Sequence, residues 1–302
     1  MTMALNSTAI ASSTPSRRRA WRPEIGALPS ALLILPFAVM LAVFVVYPFV
    51  RLTQVAVFSE GAVDNLVNFF NDSSNMVVLR TTYIISAIVT VLAVGFGGVL
   101  AWTLKTTRSS TVRFIILASI LVPFWMGTTI KLYAWTVILQ TNGLVNNFLV
   151  AAGILDDQSR LALLYNELAV VIGMVSQMLP FAVLPLAVAF SSIDLDIVRA
   201  AEGLGAARIR AIVSIVIPLS IPGILATTML VFVLSTGFFL TPVILGGITS
   251  PFTASLIYQN VFTFFDLNAA AITALVLVIS ASVIILIAFK VVGAERIRKA
   301  LG

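Results

Sequence analysis

The chain has 302 residues, of which 60% are apolar and 10% charged, against roughly 25% charged residues in ordinary soluble domains. It carries no Cys and no His, so disulfides, thiolate chemistry, soft-ligand metal sites and imidazole bases have no residues to build them. The net charge of +6 does not indicate nucleic acid, because the basic residues lie in short segments between apolar runs and not on a surface interleaved with aromatics.

Residues 1–28 are rich in Ser, Thr and Ala and carry Arg17, Arg18, Arg19 and Arg22 just before the first apolar run. This composition predicts a disordered basic tail. Ser16-Arg17-Arg18 has the form of a twin-arginine export signal, yet the apolar stretch from Leu28 to Val50 exceeds a signal peptide's core, so a retained first span is expected. Further apolar runs cover 77–104, 114–139, 168–191, 219–245 and 269–292, each reaching the roughly 20 residues that cross a hydrocarbon core of about 30 Å. Lipid cannot satisfy backbone amides, so the expected fold is all-α, a polytopic membrane protein of six transmembrane helices over 29–292. A loop at 192–217 interrupts the spans, and a tail at 293–302 follows them.

Charge assigns the two sides. The tail arginines, then Lys105, Arg108 and Arg113, then Arg199, Arg208 and Arg210, then Lys290, Arg296, Arg298 and Lys299 place 14 of the 18 basic residues on one side. Arg51, Arg80, Lys131 and Arg160 remain for the other, which also carries Glu60, Asp64, Asp72, Asp156, Asp157, Glu167 and Asp266. Retained Lys and Arg mark cytoplasmic loops, so both termini and the 192–217 loop are expected in the cytoplasm.

No Gly-Lys-Ser or Gly-Lys-Thr occurs, so the chain lacks a Walker phosphate loop and cannot hydrolyse ATP by that route. Gly95-Phe96-Gly97-Gly98 falls inside the second span, where small residues let helices approach closely, and reads as a packing device. Gly203-Leu204-Gly205 lacks both a third glycine and a preceding strand.

The segment from Asp194 to Gly223 has mixed polarity between the fourth and fifth spans. Asp194 or Asp196 can cap a helix start. Ile197, Ala200, Ala201 and Leu204 fall on one side at helical spacing, Gly205 permits a turn, and Ile209, Ile212, Val213 and Val216 continue an apolar stripe. The expectation is a short helix-turn-helix whose apolar face docks into a partner's groove.

Ala200-Ala201, Gly205, Ile215 and Pro218 stand at the spacings of the coupling loop of binding-protein-dependent ABC importer permeases, whose signature runs Glu-Ala-Ala, three residues, Gly, nine residues, Ile-x-Leu-Pro. The chain resembles that family, with Ile217 for the signature Leu. Arg199 stands where the family has Glu, and Glu202 follows the Ala pair. Glu202 lies within about one turn of Arg199, where it either pairs with it or supplies the displaced carboxylate to the partner. Pro123-Phe124-Trp125, Lys131-Leu132-Tyr133, Thr141-Asn142-Gly143 and Leu179-Pro180-Phe181 further resemble the spermidine/putrescine permease branch. The resemblance implies the type I importer permease fold, a second permease subunit, two ATPase subunits that bind the ATP and Mg, and a periplasmic solute-binding protein. It implies no cofactor in this chain.

Polar residues within the spans are candidates for a solute path. Lys131 either lines the path or snorkels to the outer interface beside Tyr133 and Trp135. Gln177, Ser235, Thr236 and Thr241 either bond a polar solute or bond neighbouring helices. Phe238 and Phe239 offer cation–π faces. No carboxylate lies deep in a span, so acids for a cationic solute must come from external loops or a partner, and opines, aminophosphonates or other small polar solutes stay open. A lone secondary transporter needs ionisable groups within its spans, which are scarce here, and a membrane scaffold leaves the loop signature unexplained.

Overall fold

A computed structural model of the chain describes residues 27–58, 61–247 and 250–301. The described residues are helical, with no strand among them. The chain divides into two compact units, Met1–Val50 and Arg51–Gly302. The expected basic tail lies almost wholly outside the described residues.

The span expected at 28–50 is helical throughout and continues further, as α1 (Ala27–Leu41), a wide π-turn at Ala42–Val46, and α2 (Tyr47–Phe58). The widening has a local cause. Pro48 has no N–H and its ring crowds the carbonyl four residues back, and the Tyr47 N–H reaches Ala42 O instead.

In the second unit the helices follow as α3 (Ala62–Asn71), α4 (Ser73–Thr106), α5 (Ser110–Trp125), α6 (Thr128–Leu139), α7 (Leu144–Ala151) and α8 (Glu167–Ser191). After these come α9 (Leu195–Gly203), α10 (Arg208–Ala211), α11 (Ile217–Thr236), α12 (Thr253–Phe262) and α13 (Leu267–Leu301). Side chains set several starts by accepting orphan amides of the first turn: Asp72 from Ser74 at 2.8 Å, Asn166 from Ala169 at 2.9 Å and Asp266 from Ala269 at 2.9 Å.

Five helical stretches are long and apolar enough to cross a membrane: Ile34–Phe58, Ser73–Thr106, Glu167–Ser191, Arg208–Thr236 and Leu267–Lys290. The expected span at 114–139 is not one helix. α5 ends at Trp125, and the chain turns by 110° into Thr128–Ala151, so a sixth crossing exists only as this broken pair. Pro123 cannot donate in the last turn of α5, and Met126 and Gly127 are extended, with ψ of 140° and 137°. Hydropathy alone does not register such a break, because both arms are equally apolar. The span expected at 219–245 enters earlier, at Arg208, and breaks at 237–239 before a π-turn at Pro242–Gly246. The tail expected at 293–302 continues α13 as helix to Leu301.

α4, α8 and α11 form the core of the second unit, around Ile85, Val89, Val170, Met174, Met178, Val231 and the inserted Phe252. Gly97 explains the close approach of α4 to α8, since a Cβ built there would lie 2.8 Å from Ala182 Cβ and 3.3 Å from its carbonyl carbon. The packing role expected for the glycine run is met at this position. Thr82 fixes the start of α12, accepting from the Thr253 N–H at 2.9 Å and sharing a hydroxyl bond with it at 2.9 Å.

Asn146 organises the chain after α6. Fully buried, it donates to Leu161 O at 2.9 Å and accepts from Leu161 N–H at 2.9 Å. Asn146→Leu strands both backbone groups and is expected to cost about 2–3 kcal/mol; the check is faster proteolysis within 140–165 of the purified protein.

Candidate functional site

The helical hairpin expected between the fourth and fifth spans is present as α9, a turn, and α10. Asp194 caps it, accepting from the Asp196 N–H at 2.9 Å. Gly205 turns the chain with φ of +92°, a backbone conformation that side chains with a Cβ rarely adopt. Val198 and Ala211, which sequence periodicity did not single out, root the hairpin in a cluster with Ala101, Ile120, Leu186 and Phe190 at the ends of α4, α5 and α8. With those two facing inward, the stripe read from sequence splits. Ile212 and Val216 pack against the subunit, while Leu204 is 91% and Ile209 77% exposed.

Arg199 does not pair with Glu202. It reaches back one turn, its guanidinium 2.7 Å from the Asp196 carboxylate, with both groups well exposed. Asp196 is nearer the helix start and one turn away in the direction the Arg side chain leans. An exposed pair of this kind contributes little; Arg199→Ala is expected to change stability by less than about 1 kcal/mol in thermal unfolding. Ala200 and Ala201 keep the hairpin slim, and Ala201 packs on the root cluster.

The end of the signature has a structural counterpart. Ile212–Val216 is a second wide π-turn, closed by the Ile217 N–H bonding Ile212 O, and Pro218 follows at once, as Pro48 follows the first. Ile215 and Pro218 thus mark the point where the hairpin joins α11 through a helix distorted by a proline.

The polar residues of the spans separate into two groups. Gln177 and Thr241 are buried and bond each other, Nε2 to Oγ1, at 3.3 Å. Thr236 donates to its own helix at Val233 O at 2.8 Å, and Ser235 is fully buried beside it. All four are buried within the subunit, and the Gln177–Thr241 bond ties α8 to the broken fifth span. Phe238 packs against the α4/α8/α11 core. Gln177→Leu, which removes that bond, is expected to cost about 0.6–1.7 kcal/mol in unfolding from detergent micelles, with transport retained.

The second group is accessible. Tyr133 is 60% exposed on α6 and Lys131 is half-buried next to it. Trp135 is not free to anchor the interface, since its indole N–H donates to Ser176 Oγ at 3.0 Å. Phe239 lies 4.6 Å from Tyr258, which lies 4.8 Å from the exposed Phe262, ring centre to ring centre. Sequence reading reached Phe239 but missed Tyr258 and Phe262, which α12 brings back beside it.

The two ends of the second unit differ in charge. Lys105 Nζ donates to Ser191 O at 2.9 Å, which brings the basic stretch after α4 to the same end as the hairpin after α8. A cavity of about 430 Å³ at the starts of α4 and α13 is lined by Asp72, Asp266, Asn65, Asn75 and Asn260, with no basic residue among its walls.

Comparison with known proteins agrees with this architecture. Residues 93–299 match the model of the binding-protein-dependent transport system inner membrane component family. The chain is 30% identical over 210 residues to the spermidine/putrescine transport system permease protein PotB of Escherichia coli (strain K12), covering 70% of this chain and 75% of that protein. It is 32% identical over 185 residues to the protein of the same name from Haemophilus influenzae, covering 61% and 63%. The fold matches a chain of the crystal structure of a bacterial alginate ABC transporter in complex with alginate pentasaccharide-bound periplasmic protein, with TM-score 0.73 and 19% identity over 87% of this chain and 93% of that one. The matched region and the identity to the permease proteins establish that the chain belongs to the family of binding-protein-dependent transport system inner membrane components.

Proposed function

We propose that this chain is one of two membrane-spanning subunits of an ATP-driven importer that carries a polyamine across the bacterial inner membrane. The observation that carries the mechanism is the hairpin. Leu204 and Ile209 project from a base rooted in the core by Val198 and Ala211, so a partner that seats on the tip can move the inner ends of α4, α8 and α11 through that root.

The partner is an ATPase dimer that holds the ATP and Mg. This chain needs no cofactor and catalyses no step; it converts closure of the ATPase into a change between two biased states of the solute path. Glu202 is left to meet the ATPase, Arg199 being held by Asp196. The termini and hairpin lie in the cytoplasm, the side toward which basic loops are retained.

Three observations support a cationic solute. The relatives carry spermidine and putrescine in their names. The outer cavity presents Asp72 and Asp266 among asparagines, and Phe239, Tyr258 and Phe262 present aromatic faces near the broken span. The accessible candidates Lys131, Tyr133 and Phe239 remain on the solute path. The test is uptake of labelled spermidine by vesicles containing both permeases and the ATPase, with a periplasmic binding protein and ATP supplied. ATP-dependent uptake that putrescine competes for supports the reading; transport of an opine or aminophosphonate alone keeps the importer and removes the polyamine.

A further inference from the structure

Gly95-Phe96-Gly97-Gly98 serves two faces of α4. Gly97 is pressed onto Ala182, but a Cβ built at Gly95 or Gly98 would meet nothing within 4 Å. These two glycines form the floor of an apolar groove of about 390 Å³ between α4, α8 and α11, walled by Trp102, Phe190, Ile212 and Ile217.

The groove's height selects what fills it. Along α4 it extends from Val94 to Thr103, about 13.5 Å at 1.5 Å per residue. That is close to the depth of one leaflet, half of a hydrocarbon core of about 30 Å. A spanning helix from another subunit needs a groove of full height, whereas a lipid chain entering from one side ends near the midplane.

Its mouth is basic. Arg208 lies one turn before Ile212 on the same face, Lys105 three residues after Trp102, and Arg108 just past the end of α4. Arg108 and Arg208 are exposed, and the ion pairs of the described residues involve neither. Basic pockets between helices at the membrane surface suit lipid phosphates, and each such cation adds about 1 kcal/mol of attraction to an anionic leaflet.

We propose that this groove binds one acyl chain of an anionic phospholipid over Gly95 and Gly98, with the phosphate held at Arg208, Lys105 and Arg108. The site lies apart from the outer cavity and does not depend on the identity of the solute, while Arg208 adjoins Ile209 of the hairpin.

Trp102 in the groove wall provides the reporter. The complete transporter is placed in phosphatidylcholine bilayers with a rising small fraction of phosphatidylglycerol brominated in its acyl chains, and Trp102 fluorescence is isolated by subtracting a Trp102→Phe complex. Quenching should saturate at a fraction where brominated phosphatidylcholine gives only a shallow linear background. Gly98→Leu, whose Cβ has none of the subunit's atoms within 4 Å and whose side chain enters the groove, should remove the saturable component, and Arg208→Gln should raise the half-saturating fraction several-fold. Should Gly98→Leu fail to assemble, Arg208→Gln decides alone. Equal quenching by both lipids, no saturation because a second subunit covers the groove, or insensitivity to these substitutions would overturn the proposal.

Discussion

Replacing Leu204 and Ile209 together with Asp is expected to abolish recovery of the ATPase with the purified permease and to abolish uptake, while helix content and thermal unfolding of the membrane subunit stay unchanged. Both side chains project from the hairpin, 91% and 77% exposed, so neither contributes to the subunit's own core. An apolar helix tip seated in a groove concentrates binding energy in a few anchors, and loss of each costs about 2 kcal/mol or more. Two such losses weaken association by roughly 10³-fold, and the new carboxylates add a desolvation cost. Val198→Asp is the informative contrast. It buries a charge at the hairpin's root and should lower the unfolding temperature as well as ATPase recovery. If the exposed double variant still retains the ATPase, the hairpin is not the docking element.

The second large effect is structural. Gly97→Leu is expected to destabilise the subunit by at least about 1–3 kcal/mol, the usual cost of overpacking, and to reduce the yield of folded protein. A Cβ built at this position lies 2.8 Å from Ala182 Cβ and 3.3 Å from Ala182 backbone, and α4 and α8 are two of the three helices that form the core. Partial recovery of the unfolding midpoint by Ala182→Gly in the Gly97→Ala background tests whether this contact is the cause, since the clash with the side chain is removed while the backbone contact persists. The neighbouring Gly98→Ala should be neutral or stabilising in the same assay, because a Cβ there has none of the subunit's own atoms within 4 Å.

Sequence patterning reached some of this architecture for clear physical reasons and missed the rest for equally clear ones. The fourth span, expected at 168–191, is α8 at Glu167–Ser191, because Asn166 caps a long and mostly apolar run. The hairpin was legible because a capping Asp, a glycine at positive φ and a proline at the helix entry are local signals. The break within 114–139 was not, since the arms on either side of Met126 are both apolar and pass together as one span by composition. Nor was the orientation of polar residues in the spans. A helix that is apolar all round carries no stripe to mark its inner face, so nothing in sequence showed that Gln177 and Thr241 meet each other. Of the two roles left open for Glu202, pairing with Arg199 is not the one seen, because spacing alone does not choose between a partner one turn before and one turn after.

The most direct test of the account is ATPase activity of the co-purified complex in lipid, with its periplasmic binding protein empty or loaded with spermidine or putrescine. The loaded protein is expected to stimulate hydrolysis, and the Leu204 and Ile209 double variant to lose that stimulation. Hydrolysis indifferent to every loaded binding protein, or a permease that transports solute with no ATPase bound, would contradict it.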